Sequence, residues 1–257
     1  MAELLRAENI AKSYVSGGAF GGGEKIAVLK NINFSFDAGE SFGLLGPSGC
    51  GKSTLARLML ALERPDSGKI FIEGEDIFSL KGKELKALRR KVQPVFQDPY
   101  SSLNPRMTVA DILAEPFIVH GEKYRQSDLK KLLSQVGLGE NSLRKYPSEF
   151  SGGQRQRIAI ARALALKPKL IIADEPLSSL DVSVQAQILN LLADIKEEYG
   201  LSLVFISHDL ALCKFLCSKA AVMHKGEIAE LGKTEEVLLS PKSAAAQTLL
   251  EAVLPLN

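Results

Sequence analysis

Gly46-Pro47-Ser48-Gly49-Cys50-Gly51-Lys52-Ser53-Thr54 decides the fold of this 257-residue chain. Its spacing is G-x-x-x-x-G-K-[ST], the pattern of a phosphate-binding loop. The run before it, Phe42 to Leu45, is apolar and reads as a buried strand. The run after it, Thr54 to Leu62, carries Leu55, Leu58, Met59 and Leu62 at helical spacing. The motif therefore sits in a strand–loop–helix context. There glycines let the backbone close around phosphate oxygens with several N–H groups pointing inward, and the helix N-terminus adds partial positive charge. Lys52 is expected to reach the β- and γ-phosphates, and the Ser53 hydroxyl to ligate Mg²⁺.

Outward from the loop, strands and helices alternate. Upstream, Leu4 to Ile10 and Ile32 to Phe36 read as strands, separated by a flexible Gly-rich loop, Ser16 to Gly23, with Phe20 in it. Downstream come a turn at Pro65–Gly68, a strand at Lys69–Glu73, a turn at Gly74–Asp76, a helix at Glu84–Lys91 and a strand at Val92–Phe96, ending at Gln97-Asp98-Pro99. From Pro99 to about Gln154 no run is strand-like. Thr108-Val109-Ala110-Asp111 is a capping box at a helix start, with Pro116 limiting that helix. Ser127 is expected to cap a second helix bearing Leu129, Leu132, Leu133 and Val136, stopped at Gly137. Alternation then resumes with strands at Leu170–Ala173 and Leu203–Ile206 and helices at Val182–Tyr199 and Leu210–Cys217. Strands at Ala220–Met223 and Glu227–Leu231 flank a turn at Lys225-Gly226. Thr234 is expected to cap a short helix, and Ala244 to Val253 forms the last. Apolar strands alternating with helices predict an α/β fold with a mainly parallel sheet covered on both faces.

At 46% hydrophobic and 24% charged residues, the chain has ample material for a core. Its 32 basic and 30 acidic residues leave a net charge of +2, which gives no electrostatic reason to expect a nucleic-acid partner. Charges interrupt the short apolar runs near the N-terminus, unlike a signal peptide, and no run approaches the roughly 20 apolar residues of a membrane span. A soluble, cytosolic chain is expected. Cys50, Cys213 and Cys217 make no disulfide framework. Cys213 and Cys217 lie i, i+4 with His208 nearby, but they complete no recognised metal-ligand spacing and read better as small core residues.

Asp174 and Glu175 end an apolar strand, where two acids are costly unless something positive meets them. Nucleotide-bound Mg²⁺ would do so, with Asp174 as its ligand, while Glu175, aimed differently, is placed to polarise an attacking water as a general base. A pair of helix-capping acids is the alternative. Gln97, at a strand end, is suited to ligate Mg²⁺ or the water and to act as a hinge, although a solvated loop glutamine looks the same in sequence. His208 ends the strand before it and is placed to hydrogen-bond a γ-phosphate. Ser151-Gly152-Gly153-Gln154 precedes a helix bearing Ile158, Ala161 and Leu164. Two readings stand there, a second anion site that meets a nucleotide held by another subunit and a serine cap with a tight Gly-Gly turn.

In this order, Gly46 to Thr54, Gln97, Ser151-Gly152-Gly153-Gln154, Asp174-Glu175, Ser179-Leu180-Asp181 and His208 resemble the ATP-binding cassette (ABC) ATPases over essentially the whole chain. Phe150 stands where that family usually has Leu before the signature. The resemblance implies a P-loop NTPase (RecA-like) core with a parallel sheet, an antiparallel N-terminal β-subdomain and an inserted helical subdomain. It implies one nucleotide-binding domain spanning 1–257, with its core at about 1–97 and 155–257 and the helical subdomain at about 98–154. It also implies a head-to-tail dimer with ATP between the phosphate loop of one subunit (Gly46, Pro47, Ser48, Gly49, Cys50, Gly51, Lys52, Ser53, Thr54) and the signature (Ser151, Gly152, Gly153, Gln154) of the other. Glu175 would be the base, His208 the switch, and Gln97 a third catalytic-site residue. Mg²⁺ would be held by Ser53, Gln97 and Asp174, and Asp181 would communicate across the dimer. Tyr14 falls where the family stacks an aromatic on adenine, an exposed strand tyrosine being the plain alternative. The partners implied are a second ATPase subunit, two membrane permease subunits and an extracytoplasmic solute-binding protein, with the chain peripheral on the cytoplasmic face of the inner membrane.

Phe96-Gln97-Asp98-Pro99-Tyr100-Ser101-Ser102-Leu103-Asn104-Pro105-Arg106 further resembles the dipeptide, oligopeptide and nickel uptake ATPases. Ser240-Pro241-Lys242-Ser243-Ala244 departs from the His-Pro-Tyr-Thr that peptide members often carry, and the Cys-rich tail of peptide systems has no counterpart. The Gly17–Gly23 loop and the ending Ala252-Val253-Leu254-Pro255-Leu256 look more like the second ATPase of nickel importers. The resemblance thus implies nickel as cargo, with di/oligopeptide uptake as the alternative. A non-transport ABC ATPase of DNA repair or translation fits less well. The span from Thr54 to Ser151 is too short for long coiled coils and holds no sustained heptads, and only one cassette is present.

Overall fold

The computed structural model of the chain describes residues 2–15, 24–98 and 102–253. The Gly-rich run at 16–23, residues 99–101 of the Phe96–Arg106 stretch and the last four residues lie outside the described residues. The chain divides into two compact units, 1–85 with 204–257, and 86–203.

In the first unit, β1 (Glu3–Val15) and β2 (Lys25–Asp37) form an antiparallel hairpin. β4 (Ser67–Ile72) pairs antiparallel with β1, and β5 (Glu75–Asp76) closes the sheet in the order β2-β1-β4-β5. Leu5, Ala7, Ile10, Ile32, Phe34 and Phe36 bury one face. Both hairpin strands run longer than the alternating stretches Leu4–Ile10 and Ile32–Phe36, because the register shifts between Ala7 and Ile10 and again before Lys12 and Ser13. Asn9 and Asn31 take φ of 50° at these irregularities, a conformation that short polar side chains tolerate. The Asn33 carboxamide stabilises them, accepting from the Asn9 N–H at 2.8 Å and donating to the Asn31 carbonyl at 2.8 Å.

β3 (Ser41–Leu45) is buried throughout and runs parallel to β9 (Lys219–His224). β9 pairs antiparallel with the edge strand β10 (Glu227–Lys233), so the second sheet is mixed. The Phe42 ring stacks on Phe34 at 5.0 Å and Phe36 at 5.4 Å, tying β3 to the hairpin. α1 (Lys52–Met59) follows the phosphate loop. Later come α7 (Leu210–Leu216), α8 (Thr234–Leu239) and α9 (Ala244–Val253). Cys213 and Cys217 are buried side chains of the core. Thr234 does not cap α8. It is the first helical residue, its N–H donates to the Ser218 carbonyl at 3.1 Å, and its buried hydroxyl has no partner among the described residues.

In the second unit, β6 (Val92–Val95), which follows α2 (Gly82–Lys91), pairs in parallel with β7 (Leu170–Asp174), Val92 opposite Leu170 and Val95 opposite Ala173. α3 (Val109–His120), α4 (Gln126–Gln135) and the signature helix α5 (Gly152–Leu164) pack on one another, and α6 (Val182–Tyr199) packs on α5. α3 opens on the capping box at Thr108 but does not stop at Pro116. The next residue, Phe117, is buried and stacks on Tyr124 at 5.4 Å, so ending the helix at the proline would expose it. α3 ends instead at Gly121, with φ of 71°. Ser127 does not cap α4 either. The Asp128 carboxylate accepts the Arg125 N–H at 2.7 Å, which makes Arg125 the cap and sets the start two residues earlier than a Ser127 cap would, at Gln126. α6 begins after Asp181 and ends at Gly200, as its sequence signals predict. β8 (Ser202–Ser207) starts in the second unit and ends in the first, beside β3. Among the described residues no helix is long and apolar enough to cross a membrane.

Candidate active site

The phosphate loop belongs to the first unit. Gly46 has φ of 150°, and a Cβ there would lie 2.4 Å from the Met223 carbonyl oxygen and 2.9 Å from Cys50 Sγ, so only glycine fits. Lys52 is 5% exposed, with Nζ donating to the Gly46 carbonyl at 2.8 Å and the Pro47 carbonyl at 3.1 Å. The cation is thus folded back over the loop's own acceptors. The N-cap of α1, Gly51, contributes no side-chain bond, and the first turn contains no acid. An uncapped helix start, a glycine cradle and a lysine fit a phosphate chain. Ser53 is half-buried in the same turn.

Tyr14 stands at the same end of this unit. Its hydroxyl donates to Glu63 Oε2 at 2.5 Å, and Lys12 Nζ lies 5.4 Å from its ring centroid. Burial, and next the Glu63 bond, push the phenol pKa up, while a bond with the Thr54 side chain works against them. Tyr14 keeps 37% of its surface open. His208, in this unit, is exposed directly after β8 and precedes Asp209, whose carboxylate caps α7 through the Ala211 and Leu212 N–H groups at 2.8 and 3.3 Å.

The second unit holds the acids and the signature. Gln97 lies just beyond β6 and Asp174 ends β7, so the parallel pairing brings them to one end of the pair. Gln97 Nε2 donates to Glu175 Oε2 at 3.4 Å and to Ser178 Oγ at 3.3 Å, and Ser178 Oγ donates to the Glu175 carbonyl at 3.1 Å. Glu175 has φ of 45°, which costs a non-glycine residue roughly 1–3 kcal/mol. The acid pair does not cap the following helix, because Asp181 does. Its Oδ1 accepts the Val184 N–H at 3.0 Å and the Ser183 hydroxyl at 2.7 Å. Those bonds, the Ser183 hydroxyl foremost, hold the Asp181 pKa below the ordinary carboxyl range.

Ser151 and Gln154 cap α5 reciprocally. The Gln154 N–H donates to Ser151 Oγ at 3.4 Å, and the Ser151 N–H to Gln154 Oε1 at 3.0 Å. A Cβ on Gly153 would lie 2.3 Å from Val184 Cγ1, and one on Gly152 3.2 Å from Leu180 Cδ2. The signature and Asp181 therefore meet at the start of α6. Ser178, the link between Gln97 and Glu175, directly precedes Ser179-Leu180-Asp181 and is not among the residues singled out from the sequence. Its only signal is a hydroxyl three residues beyond the acid.

Residues 29–178 match the ABC transporter family. The chain belongs to the ABC transporter family. It is an ATPase of that family. It is 48% identical over 97% of its length, and 72% of the relative's, to the "Probable peptide ABC transporter ATP-binding protein y4tS" of Sinorhizobium fredii. It is 46% identical over 98% of its length, and 82% of the relative's, to the oligopeptide transport ATP-binding protein OppF of Streptococcus mutans. The glutathione import ATP-binding protein GsiA of Pectobacterium atrosepticum is 46% identical over 89% of this chain and 37% of its own. Among solved structures, the ATP-binding cassette MJ0796, described as a dimer in a post-hydrolysis state bound to ADP and Pi, matches with a TM-score of 0.79 and 32% identity over 90% of this chain and 99% of its own. The ABC fold expectation, an α/β cassette with an antiparallel β-sheet, agrees with these neighbours.

Proposed function

We propose that this ABC cassette is the ATP-hydrolysing subunit that powers a membrane importer of di- or oligopeptides. One observation carries the cargo: relatives 48% and 46% identical over nearly the whole chain are named for peptide and oligopeptide transport. Nickel, the cargo expected from the sequence, loses its support. It rests on a loop and a tail that lie largely outside the described residues, and none of these relatives is named for nickel.

In this reading the phosphate loop, Gly46 to Thr54, binds ATP through its backbone N–H groups, and Lys52 leaves the Gly46 and Pro47 carbonyls for the β- and γ-phosphates. Tyr14 stacks on adenine. Ser53, Gln97 and Asp174 are the oxygen donors suited to Mg²⁺, which when bound neutralises charge on the phosphates. Glu175 accepts a proton from the attacking water. Gln97 orients that water and carries motion into the helices that follow. His208 hydrogen-bonds the γ-phosphate and registers its loss. The signature Ser151–Gln154 of a second ATPase subunit, a paralogue or a second copy, completes the site across a head-to-tail dimer, and Asp181 links the two sites. One nucleotide-binding domain, its core at about 1–97 and 155–257 and its helical part at about 98–154, works with two permease subunits and an extracytoplasmic solute-binding protein. The cassette lies peripherally at the cytoplasmic face of the inner membrane and binds no nucleic acid.

The test is uptake by a deletion strain. Loss of labelled di- or tripeptide uptake, restored by the wild-type chain and not by Glu175→Gln, is expected. Intact peptide uptake with loss of nickel accumulation would overturn the cargo.

A further inference from the structure

Tyr14 is held at its tip, on one face and along its backbone. Its hydroxyl donates to Glu63 Oε2 at 2.5 Å, and Lys12 Nζ stands over its ring, 5.4 Å from the centroid. Lys12 is itself anchored, donating to the Arg64 carbonyl at 2.6 Å and lying 3.9 Å from Glu63 Oε2. The other oxygen of Glu63, Oε1, lies 3.8 Å from Nη1 of Arg57, in the last turn of α1. The strand is fastened to the same segment. The Ser13 N–H donates to Asp66 Oδ2 at 3.0 Å, and the Asp66 N–H to the Ala11 carbonyl at 2.8 Å. Residues 63–66 follow α1, the helix that begins at Lys52 of the phosphate loop. One carboxylate thus joins the strand that carries Tyr14 to the helix that carries the phosphate-loop lysine. The Glu63 side chain is 29% exposed and that of Lys12 16%, so the cluster is half-buried against the first unit.

We infer that Glu63 is a positioning residue for the nucleotide base: it holds the Tyr14 ring at a set place relative to the phosphate loop. A nucleotide gripped by its phosphates can bring its base only as far as the ribose allows. A ring already standing at that point loses little freedom when the base arrives. A ring free to turn must be ordered then, which costs roughly 2- to 12-fold in affinity. Lys12 takes one face of the ring, and the base is left the other.

The inference rests on Tyr14 stacking on adenine, and the experiment separates the two. Titration calorimetry without Mg²⁺, so that nothing is hydrolysed, gives Kd for ATP and for inorganic tripolyphosphate, which has no base. The full chain is compared with Glu63→Ala, Glu63→Gln, Tyr14→Phe, Tyr14→Ala and the Tyr14→Phe/Glu63→Ala double variant. Glu63→Ala and Tyr14→Phe, which remove the two ends of one hydrogen bond, should each raise Kd for ATP roughly 2- to 12-fold. Kd for tripolyphosphate should not move, which a general disturbance of the phosphate loop would not allow. The double variant should be no weaker than Glu63→Ala alone. Glutamine keeps an oxygen that accepts from the phenol, so Glu63→Gln should bind ATP more tightly than Glu63→Ala. Wild-type affinity in Glu63→Ala and Tyr14→Phe, with ATP binding lost in Tyr14→Ala, overturns the role of Glu63 alone. Wild-type affinity in Tyr14→Ala overturns the stacking and this inference with it. Equal losses for ATP and tripolyphosphate, additive losses in the double variant, or glutamine no better than alanine also refute it.

Discussion

Replacing Gly153 with alanine would put a methyl group 2.3 Å from Val184 Cγ1, far inside the 3.4 Å at which ordinary contact begins. Gly153 is buried in the first turn of α5, and Val184 lies in the first turn of α6, beside the Asp181 cap. The β-branched Val184 side chain is stiff at χ1 in a helix, so the clash is relieved mainly by parting the two helix starts. Overpacking of this kind costs about 1–3 kcal/mol. For a chain of this size that lowers the melting temperature by roughly 2–12 °C. The displaced turn carries the signature, so the variant should also hydrolyse ATP more slowly and dimerise less readily with ATP. Thermal unfolding, followed by circular dichroism or calorimetry, measures the first effect, and a coupled phosphate-release assay the second. Val184→Ala removes the offending methyl groups, and the double variant should recover most of both losses in a double-mutant cycle. A Gly153→Ala variant as stable and active as wild type, or one that Val184→Ala does not rescue, would refute the close helix contact as the reason for glycine.

Two further outcomes are expected. Lys52→Ala removes charge-assisted bonds worth about 1.5–3 kcal/mol each, so titration calorimetry should show ATP affinity falling by roughly tenfold or more; unchanged binding would overturn the role of the loop lysine. Asp181→Asn isolates the charge of the cap, since asparagine caps nearly as well. The Asp181 carboxyl is held below its ordinary value of 3.8 in the folded chain, so its stabilisation is complete above that value and is lost as pH falls through the lower folded value. The wild type should therefore melt above Asp181→Asn at pH 7, with the difference shrinking below about pH 4; a difference as large at pH 3 would contradict this.

Much of this cassette is legible in its residues, and the exceptions have physical causes. The phosphate loop, the buried β3 and β7, and α6 between Asp181 and Gly200 follow from local pattern, because each is fixed by its own periodicity and caps. The hairpin strands β1 and β2 are longer than their alternation suggests, because Asn9 and Asn31 bend the register where the pattern breaks. Pro116 looks like a stop, but the burial of Phe117 one residue later is a tertiary effect and carries α3 past it. Ser127 and Thr234 look like caps; Asp128 and the Ser218 carbonyl take the N–H groups at those starts instead. At the site, Gln97 and Glu175 are far apart in sequence, and only the parallel pairing of β6 with β7 brings them together. Ser178 does not stand out because a single hydroxyl at a turn is common; its bond to the Glu175 carbonyl is local to the turn, and only the bond from Gln97 needs that pairing. The two readings of Ser151 to Gln154 do not exclude one another, since the residues that cap α5 are the same ones that the proposed function offers to a nucleotide.

The central claim is that Glu175 is the base of a site completed by a second ATPase subunit. Its most direct test is the Glu175→Gln chain with ATP, followed together by phosphate release and by light-scattering mass. The account predicts bound ATP, turnover reduced at least a hundredfold, as loss of a general base typically costs about 10²–10⁴, and a stable ATP-dependent dimer, formed with the partner ATPase where that is a paralogue. Turnover near wild type, or a monomer that binds ATP with no dimer under any nucleotide condition with either partner, would contradict it.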